Sequence, residues 1–283
     1  MKLTKRFTTL TGAAALAVSA LATPMVAQAE LSGNIGVYSA YVLRGITAAE
    51  SFGYENDGAA VQGGLDWSAD NSGWYVGYWG SSLSYTSGPT IDTYDDNGNV
   101  TGSVDGCLKA DDCPAVGFEN DIYAGYSGTA GDFGYDVGLI YYYYIGVMEA
   151  NGLEVKLSGS WKGATLGVNY LTNDVAWGNT GDMYWTLGYD FSLPKDFTLG
   201  ATLGYYMYEK SGKYVPPSRP DPDSVLTLGA KSSAFRHLTL SLSHPIASSG
   251  FDMNLDWIIG GEDRYGISQP MTFVLGVSSG FDI

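Results

Sequence analysis

Residues 119–145, ENDIYAGYSGTAGDFGYDVGLIYYYYI, restrict the fold more than any other stretch. They read as two strands joined by a tight Gly/Asp turn. On the second strand Tyr135, Val137, Leu139, Tyr141 and Tyr143 share one face, and Asp136, Gly138 and Tyr142 the other. On the first, Ile122, Ala124 and Tyr126 alternate with Asp121, Tyr123, Gly125 and Ser127. Segments of about ten residues that alternate apolar with polar or small residues mark a transmembrane barrel. In lipid every backbone N–H and C=O must be paired, so a sheet there has to close on itself.

The start of the chain points to export. Lys2, Lys5 and Arg6 form a basic region, Leu10 to Leu21 a short apolar one, and Ala27-Gln28-Ala29 an A-x-A cleavage site. Residues 1–29 are therefore expected to be a signal peptide cut between Ala29 and Glu30, leaving one domain, 30–283, for the bacterial outer membrane. Removing the signal takes away three basic residues and no acidic ones. It leaves 11 basic against 30 acidic side chains and a net charge near −19. Such a surface excludes nucleic acid and favours cations, or lipopolysaccharide bridged by divalent cations.

The pattern predicts about 12 strands, at 33–44, 59–68, 74–84, 119–128, 133–145, 153–161, 164–171, 183–193, 197–208, 225–233, 237–244 and 271–282. Connections after the even-numbered strands are short: 69–73, 129–132, 162–163, 194–196 and Ala234 to Arg236. Those after odd-numbered strands are mostly long, including 85–118, 209–224 and 245–270. Short periplasmic turns alternating with long outer loops are what an up-and-down barrel with both termini in the periplasm requires. Phe251 to Ile259, FDMNLDWII, could itself be a strand but is assigned to the last outer loop, with fourteen strands as the fallback. Aromatics near strand ends, such as Tyr170, Trp185, Tyr205 and Phe281, suit interfacial belts.

Several stretches resemble the TorF family of porins, the Gcw_chp family of exported proteobacterial proteins. Asn34 to Thr47, NIGVYSAYVLRGIT, carries its hallmark S-x-Y-x-x-R-G as Ser39, Tyr41, Arg44 and Gly45. AVQGGLDW (Ala60 to Trp67), GWYVGYWGS (Gly73 to Ser81) and the tyrosine-rich hairpin are similar as well. The chain departs from the pattern at Ala40, where Asp is usual, and at Ile145, where Pro is usual. Its last residue, Ile283, also stands where barrel-assembly signals end in an aromatic. The resemblance implies an outer-membrane barrel inserted by the barrel-assembly machinery and, more loosely, a pore.

Strand phase sends Arg44, Gln62, Asp66, Asp121, Asp136, Glu154, Lys156, Asn169 and Asp190 into the lumen. One reading is an acid-lined passage favouring cations, with Arg44 setting a constriction. The other is that Arg44 pairs with Glu154, Asp121 or Asp136 and plugs a narrow barrel. Cys107 and Cys113, in DGCLKADDC, are expected to form a loop-stiffening disulfide in an oxidising compartment. Catalysis is not expected. His237 should sit at a periplasmic turn and His244 at an outer rim, and Ser243 should face away from His244. No cofactor or metal is expected. Asp95 to Asn99, DDNGN, lacks the full calcium-loop register, and turn chemistry accounts for it equally well. Lys210, Lys213 and Arg219 could contact lipopolysaccharide phosphates. The expectation is a narrow, cation-preferring channel for small solutes or ions. The alternative is a closed surface-binding barrel that acts through its outer loops.

Overall fold

The computed structural model describes residues 30–47, 58–70, 72–83, 90–105, 117–220 and 227–283. The signal-peptide region and both cysteines lie outside the described residues. The strands are β1 (Glu30–Tyr38), β2 (Ala60–Ser68), β3 (Trp74–Leu83), β4 (Thr90–Tyr94), β5 (Val100–Asp105), β6 (Gly117–Ala130), β7 (Phe133–Ile145) and β8 (Gly152–Trp161). They continue with β9 (Ala164–Leu171), β10 (Met183–Ser192), β11 (Thr198–Met207), β12 (Ser218–Pro220), β13 (Thr227–Gly229), β14 (Ser233–Pro245), β15 (Asp252–Gly260) and β16 (Thr272–Asp282).

Twelve of these close a barrel in the order β1-β16-β15-β14-β11-β10-β9-β8-β7-β6-β3-β2. Every pairing is antiparallel. The ring is sealed by β1 against β16, from Ser32↔Asp282 to Tyr38↔Gly276. Closure satisfies the edge groups that an open sheet would leave in lipid. The other two pairs, β4-β5 and β12-β13, are short hairpins in the long connections. Turns such as Lys162-Gly163, with φ of 50° and 88°, have the mirror-image geometry that matches strand twist in a two-residue hairpin.

The outer wall is apolar where the sequence alternates. Val137, Leu139, Leu166, Leu187 and Leu275 are all exposed around the barrel. At the turn end Trp74 meets Tyr126 edge-to-face and Tyr126 stacks on Tyr135, with ring centroids 5.2 and 6.4 Å apart. At the long-loop end Trp257 stacks on Phe273 at 6.0 Å. An apolar band between two aromatic girdles is the surface of a protein that spans a bilayer. The chain is a transmembrane up-and-down β-barrel.

Three sequence expectations need correction. The expected strand 225–233 is not in the wall, because Thr227–Gly229 pairs with Ser218–Pro220 above it. The expected turn at Ala234 to Arg236 lies inside β14, which runs unbroken over 13 residues. A β-bulge opposite Gly204/Tyr205 inserts one residue there, so Arg236 and His237 both turn inward. That break in phase reads like a chain reversal in sequence. The expected loop FDMNLDWII is instead β15: Met253 and Trp257 face out while Asn254, Asp256 and Ile258 are buried inside. The strand total of twelve is unchanged.

The first strand also ends earlier than its pattern suggests. After Ser39 the chain leaves the wall, and the residues up to 47 fold into the barrel. Ser39 closes the ladder, donating its N–H to the Leu275 carbonyl (2.7 Å) and accepting from Leu275 N–H through its hydroxyl (3.0 Å). Tyr41 and Val42, consecutive residues only 1% and 3% exposed, then pack toward opposite walls. Tyr41 joins Leu83, Ile140, Tyr142 and Tyr144, while Val42 joins Tyr38, Ile258 and Val274. A strand cannot bury two neighbours on opposite sides this way.

Candidate functional site

The inward segment ends in a tight turn that delivers Arg44 to the barrel axis. Arg44 and Gly45 take left-handed φ of 48° and 72°, and Ile46 N–H donates to the Leu43 carbonyl at 2.9 Å. Gly45 has no side chain to spare: a Cβ there would lie 2.6 Å from the His237 Cβ. The Arg44 guanidinium meets both oxygens of Glu154, Nη1 to Oε1 at 2.9 Å and Nη2 to Oε2 at 2.6 Å. It also donates to the Tyr206 hydroxyl (2.7 Å) and the Tyr142 hydroxyl (3.0 Å). The rings of Tyr184 and Trp177 stand 4.7 and 5.8 Å from its Cζ. A two-pronged ion pair holds a guanidinium more firmly than neutral hydrogen bonds do, and the aromatic faces add cation–π attraction.

Supporting groups fix this arrangement. Glu154 accepts further hydrogen bonds from Asn169 Nδ2 (2.7 Å) and the Tyr142 hydroxyl (2.9 Å). His237 is not at a periplasmic turn, because the β14 bulge buries it in the lumen. Its Nε2 lies 2.6 Å from the Tyr184 hydroxyl and its Nδ1 2.9 Å from Thr239 Oγ1. Nor is His244 at the outer rim. It is near the turn end of β14, against the Phe197 ring at 4.2 Å, while Ser243 faces inward.

Other inward residues form a ladder of acids. On β6 Glu119 and Asp121 are both fully buried, and Glu119 accepts from the Tyr41 hydroxyl at 2.8 Å. Neither Asp121 oxygen has a hydrogen-bond partner among the described residues. Lower down, Lys156 pairs with Asp136 at 3.2 Å, and the Tyr123 hydroxyl donates to Asp66. Gln62 is buried on the same inner wall, whereas Asp190 is exposed near the turn end of β10. Of the residues singled out from sequence, Arg44, Glu154 and Asn169 come together in one cluster, and Asp136 and Lys156 in a second. Gln62, Asp66, Asp121 and Asp190 join neither cluster through a hydrogen bond or ion pair described here. Glu119, Tyr184, Tyr206, Trp177 and Arg236 are not among the residues singled out, and His237 stands in the lumen rather than at the expected turn. Alternation alone would have found Glu119, two residues before Asp121, and the inner tyrosines beside outward Trp185 and Tyr205.

The outer connections brace the long-loop end. Arg264 pairs with Asp182, and its guanidinium carbon lies 4.4 Å from the Tyr208 ring centroid. Arg219 approaches Asp263 at 3.9 Å, and Lys213 donates to the Tyr214 hydroxyl at 2.8 Å. The DDNGN stretch turns the β4-β5 hairpin: Asp95 Oδ1 accepts N–H bonds from Asn97 and Asn99, each at 2.9 Å. Asp174 accepts from Thr180 N–H (2.7 Å), the Thr180 hydroxyl (2.8 Å) and Lys213 N–H (2.8 Å). Burial opposes ionisation of Asp174, but these donors hold its carboxyl below the ordinary carboxylate range. A carboxylate lowered on folding stabilises above its unfolded value, near 4, and loses that as pH falls through its folded value. Amide exchange at Thr180 and Lys213 should therefore stay protected at about pH 5 and lose protection well below about pH 4. At about pH 5 Asp174→Asn should be less protected than the unaltered protein, and the two should converge well below about pH 4. Equal protection in both proteins at the higher pH would contradict the assignment.

Residues 22–215 match the family model described as "Bacterial protein of unknown function (Gcw_chp)". The chain belongs to the Gcw_chp family. No curated protein matches it. Among solved structures it is similar to a KdgM porin, at 11% identity over 88% of this chain and 99% of that one, with a TM-score of 0.46. It is similar also to outer membrane phospholipase A from Escherichia coli (12% identity, 92% of each chain, TM-score 0.37). A third is the outer membrane channel DcaP of Acinetobacter baumannii (10% identity, 91% of this chain and 98% of that one, TM-score 0.38).

Proposed function

We propose that this Gcw_chp barrel is a narrow outer-membrane diffusion channel for small hydrophilic solutes or ions, preferring cations. It is exported by its N-terminal signal and inserted among outer-membrane lipids and lipopolysaccharide by the barrel-assembly machinery. The observation that carries the reading is the acid excess on the inner wall. Asp66, Asp121, Asp136, Glu154 and Asp190 lie on inward positions, with Lys156 and Arg236 as basic side chains on the inner wall and Arg44 spent on Glu154. Carboxylates facing a confined lumen raise the local cation concentration and repel anions. The lower half, with Lys156, Asp66 and Asp190 partly or fully exposed, is the wetter part of the path. The outer half, where Arg44 crosses, is the constriction.

One observation favours a second reading, a closed barrel that works through its outer loops. Tyr41 and Val42 fill the outer half from wall to wall. The two readings separate in a planar bilayer. Under a potassium chloride gradient, Asp136→Asn should move the reversal potential of the channel toward zero, since it removes a lumen anion and leaves Lys156 unpaired. A reversal potential identical to that of the unaltered protein would count against the channel's acid lining. Silence from both proteins would favour the closed barrel.

A further inference from the structure

The outer half of the lumen contains a socket that the chain fills with one of its own side chains. We propose that this socket is a recognition site for guanidinium-bearing solutes, with Arg44 as a tethered occupant that such a solute displaces. The proposal builds on the channel reading, since the solute must reach the lumen, but binding to the socket can be measured without conduction.

The socket is built without reference to Arg44. Glu154 is held by Asn169 and by Tyr142 at 2.7 and 2.9 Å. Trp177 is anchored by its indole N–H on the Ala150 carbonyl at 2.8 Å. Tyr184 is fixed by His237, which is in turn held by Thr239. These groups come from the wall and the 172–182 connection, so the anion and its aromatic faces persist when the inward segment moves. A preorganised carboxylate with both oxygens aimed at one point, between ring faces, selects a planar fork of donors. An ammonium ion could stack on the rings but could not make the paired contact.

The occupant is the less secure partner. Arg44 reaches the socket from a left-handed backbone position, φ 48°, that a residue with a Cβ seldom adopts. It is delivered by residues 39–47, which leave the wall after Ser39, whereas the groups that meet it lie on other elements. A free guanidinium reproduces the hydrogen bonds without that backbone conformation. Charge favours a cationic visitor too. Asp121 is fully buried with no hydrogen-bond partner among the described residues, and Glu119 lies beside it on the same face. Asp121 thus offers an incoming cation acceptor oxygens that no described side chain has taken.

The test is calorimetric titration of agmatine, a small guanidinium amine, into the refolded, heat-modifiable Arg44→Ala barrel in detergent, with putrescine as the ammonium control. The structure leads us to expect saturable agmatine binding. It should be roughly tenfold or more weaker in the Arg44→Ala/Glu154→Gln double variant, and weaker by a similar factor for putrescine. The unaltered protein, whose socket is filled, should bind agmatine more weakly than Arg44→Ala. Should Arg44→Ala not refold, Arg44→Lys takes its place, because an ammonium at position 44 leaves the fork unmatched. The same order of affinities is then expected. Agmatine binding that is absent, or indifferent to Glu154→Gln, overturns the proposal. A barrel that conducts but ignores agmatine removes the socket and keeps the channel. One that binds agmatine but never conducts removes the channel and keeps the socket.

Discussion

Arg44→Ala is expected to destabilise the refolded barrel by about 3–5 kcal/mol, the usual consequence of stripping one partner from a buried ion pair. Glu154, 1% exposed, would remain in the lumen with Tyr142 and Asn169 as its only hydrogen-bond partners described here. The same change removes the side chain that crosses the constriction, so single-channel conductance should rise several-fold. The two effects come apart in the double variant Arg44→Ala/Glu154→Gln. It should recover much of the lost stability, because the orphaned charge is gone, while keeping the higher conductance. Urea titrations followed by heat-modifiability on gels measure the first effect and bilayer recordings the second. An Arg44→Ala barrel with unaltered stability and conductance would mean that the pair neither braces nor narrows the lumen.

Gly45→Ala should also act strongly, though it leaves every charge in place. A side chain at φ +72° is disfavoured by about 1–2 kcal/mol, and its Cβ would press on the His237 ring at 2.7 Å. His237 is pinned through both ring nitrogens, so the inward segment has to give way. The expected result is a less stable barrel whose conductance shifts in the same direction as that of Arg44→Ala. Combining it with His237→Gly, which removes the Cβ as well as the ring, makes room for the new methyl group. The pair should therefore be less damaging than the two single losses added together, a coupling that a double-mutant cycle reads directly. Strict additivity would show that Gly45 and His237 do not meet.

The barrel was legible in the chain because lipid imposes a two-residue period. Tyr135, Val137, Leu139, Tyr141 and Tyr143 cannot face the same way unless they lie on a strand, and the rhythm of short and long connections set the direction of each crossing. Legibility failed where the period broke. The bulge at Arg236 shifted the phase by one residue and imitated a turn. Asn254 and Asp256 face inward between outward Met253 and Trp257, an alternation visible in the sequence, but counting β15 beside a strand at 225–233 makes an odd number and breaks the rhythm of loop lengths. Residues 39–47 continue the alternation of β1 for several positions, and nothing local says that the chain turns inward. That is decided by tertiary packing of Tyr41 and Val42 on opposite walls and by the Arg44–Glu154 pair, 110 residues apart in sequence. The inner carboxylates followed from phase. The aromatic socket did not, because tyrosines in a barrel read first as lipid contacts, and Tyr184 and Tyr206 differ from Trp185 and Tyr205 only by a single step of register.

The most direct test of the channel is the single-channel conductance and reversal potential of the unaltered, refolded protein in a planar bilayer under a potassium chloride gradient. A small, steady conductance with a reversal potential on the potassium side of zero is expected from an acid-lined lumen narrowed at Arg44. A heat-modifiable, fully folded barrel that passes no current, or one whose reversal potential lies on the chloride side, would contradict it.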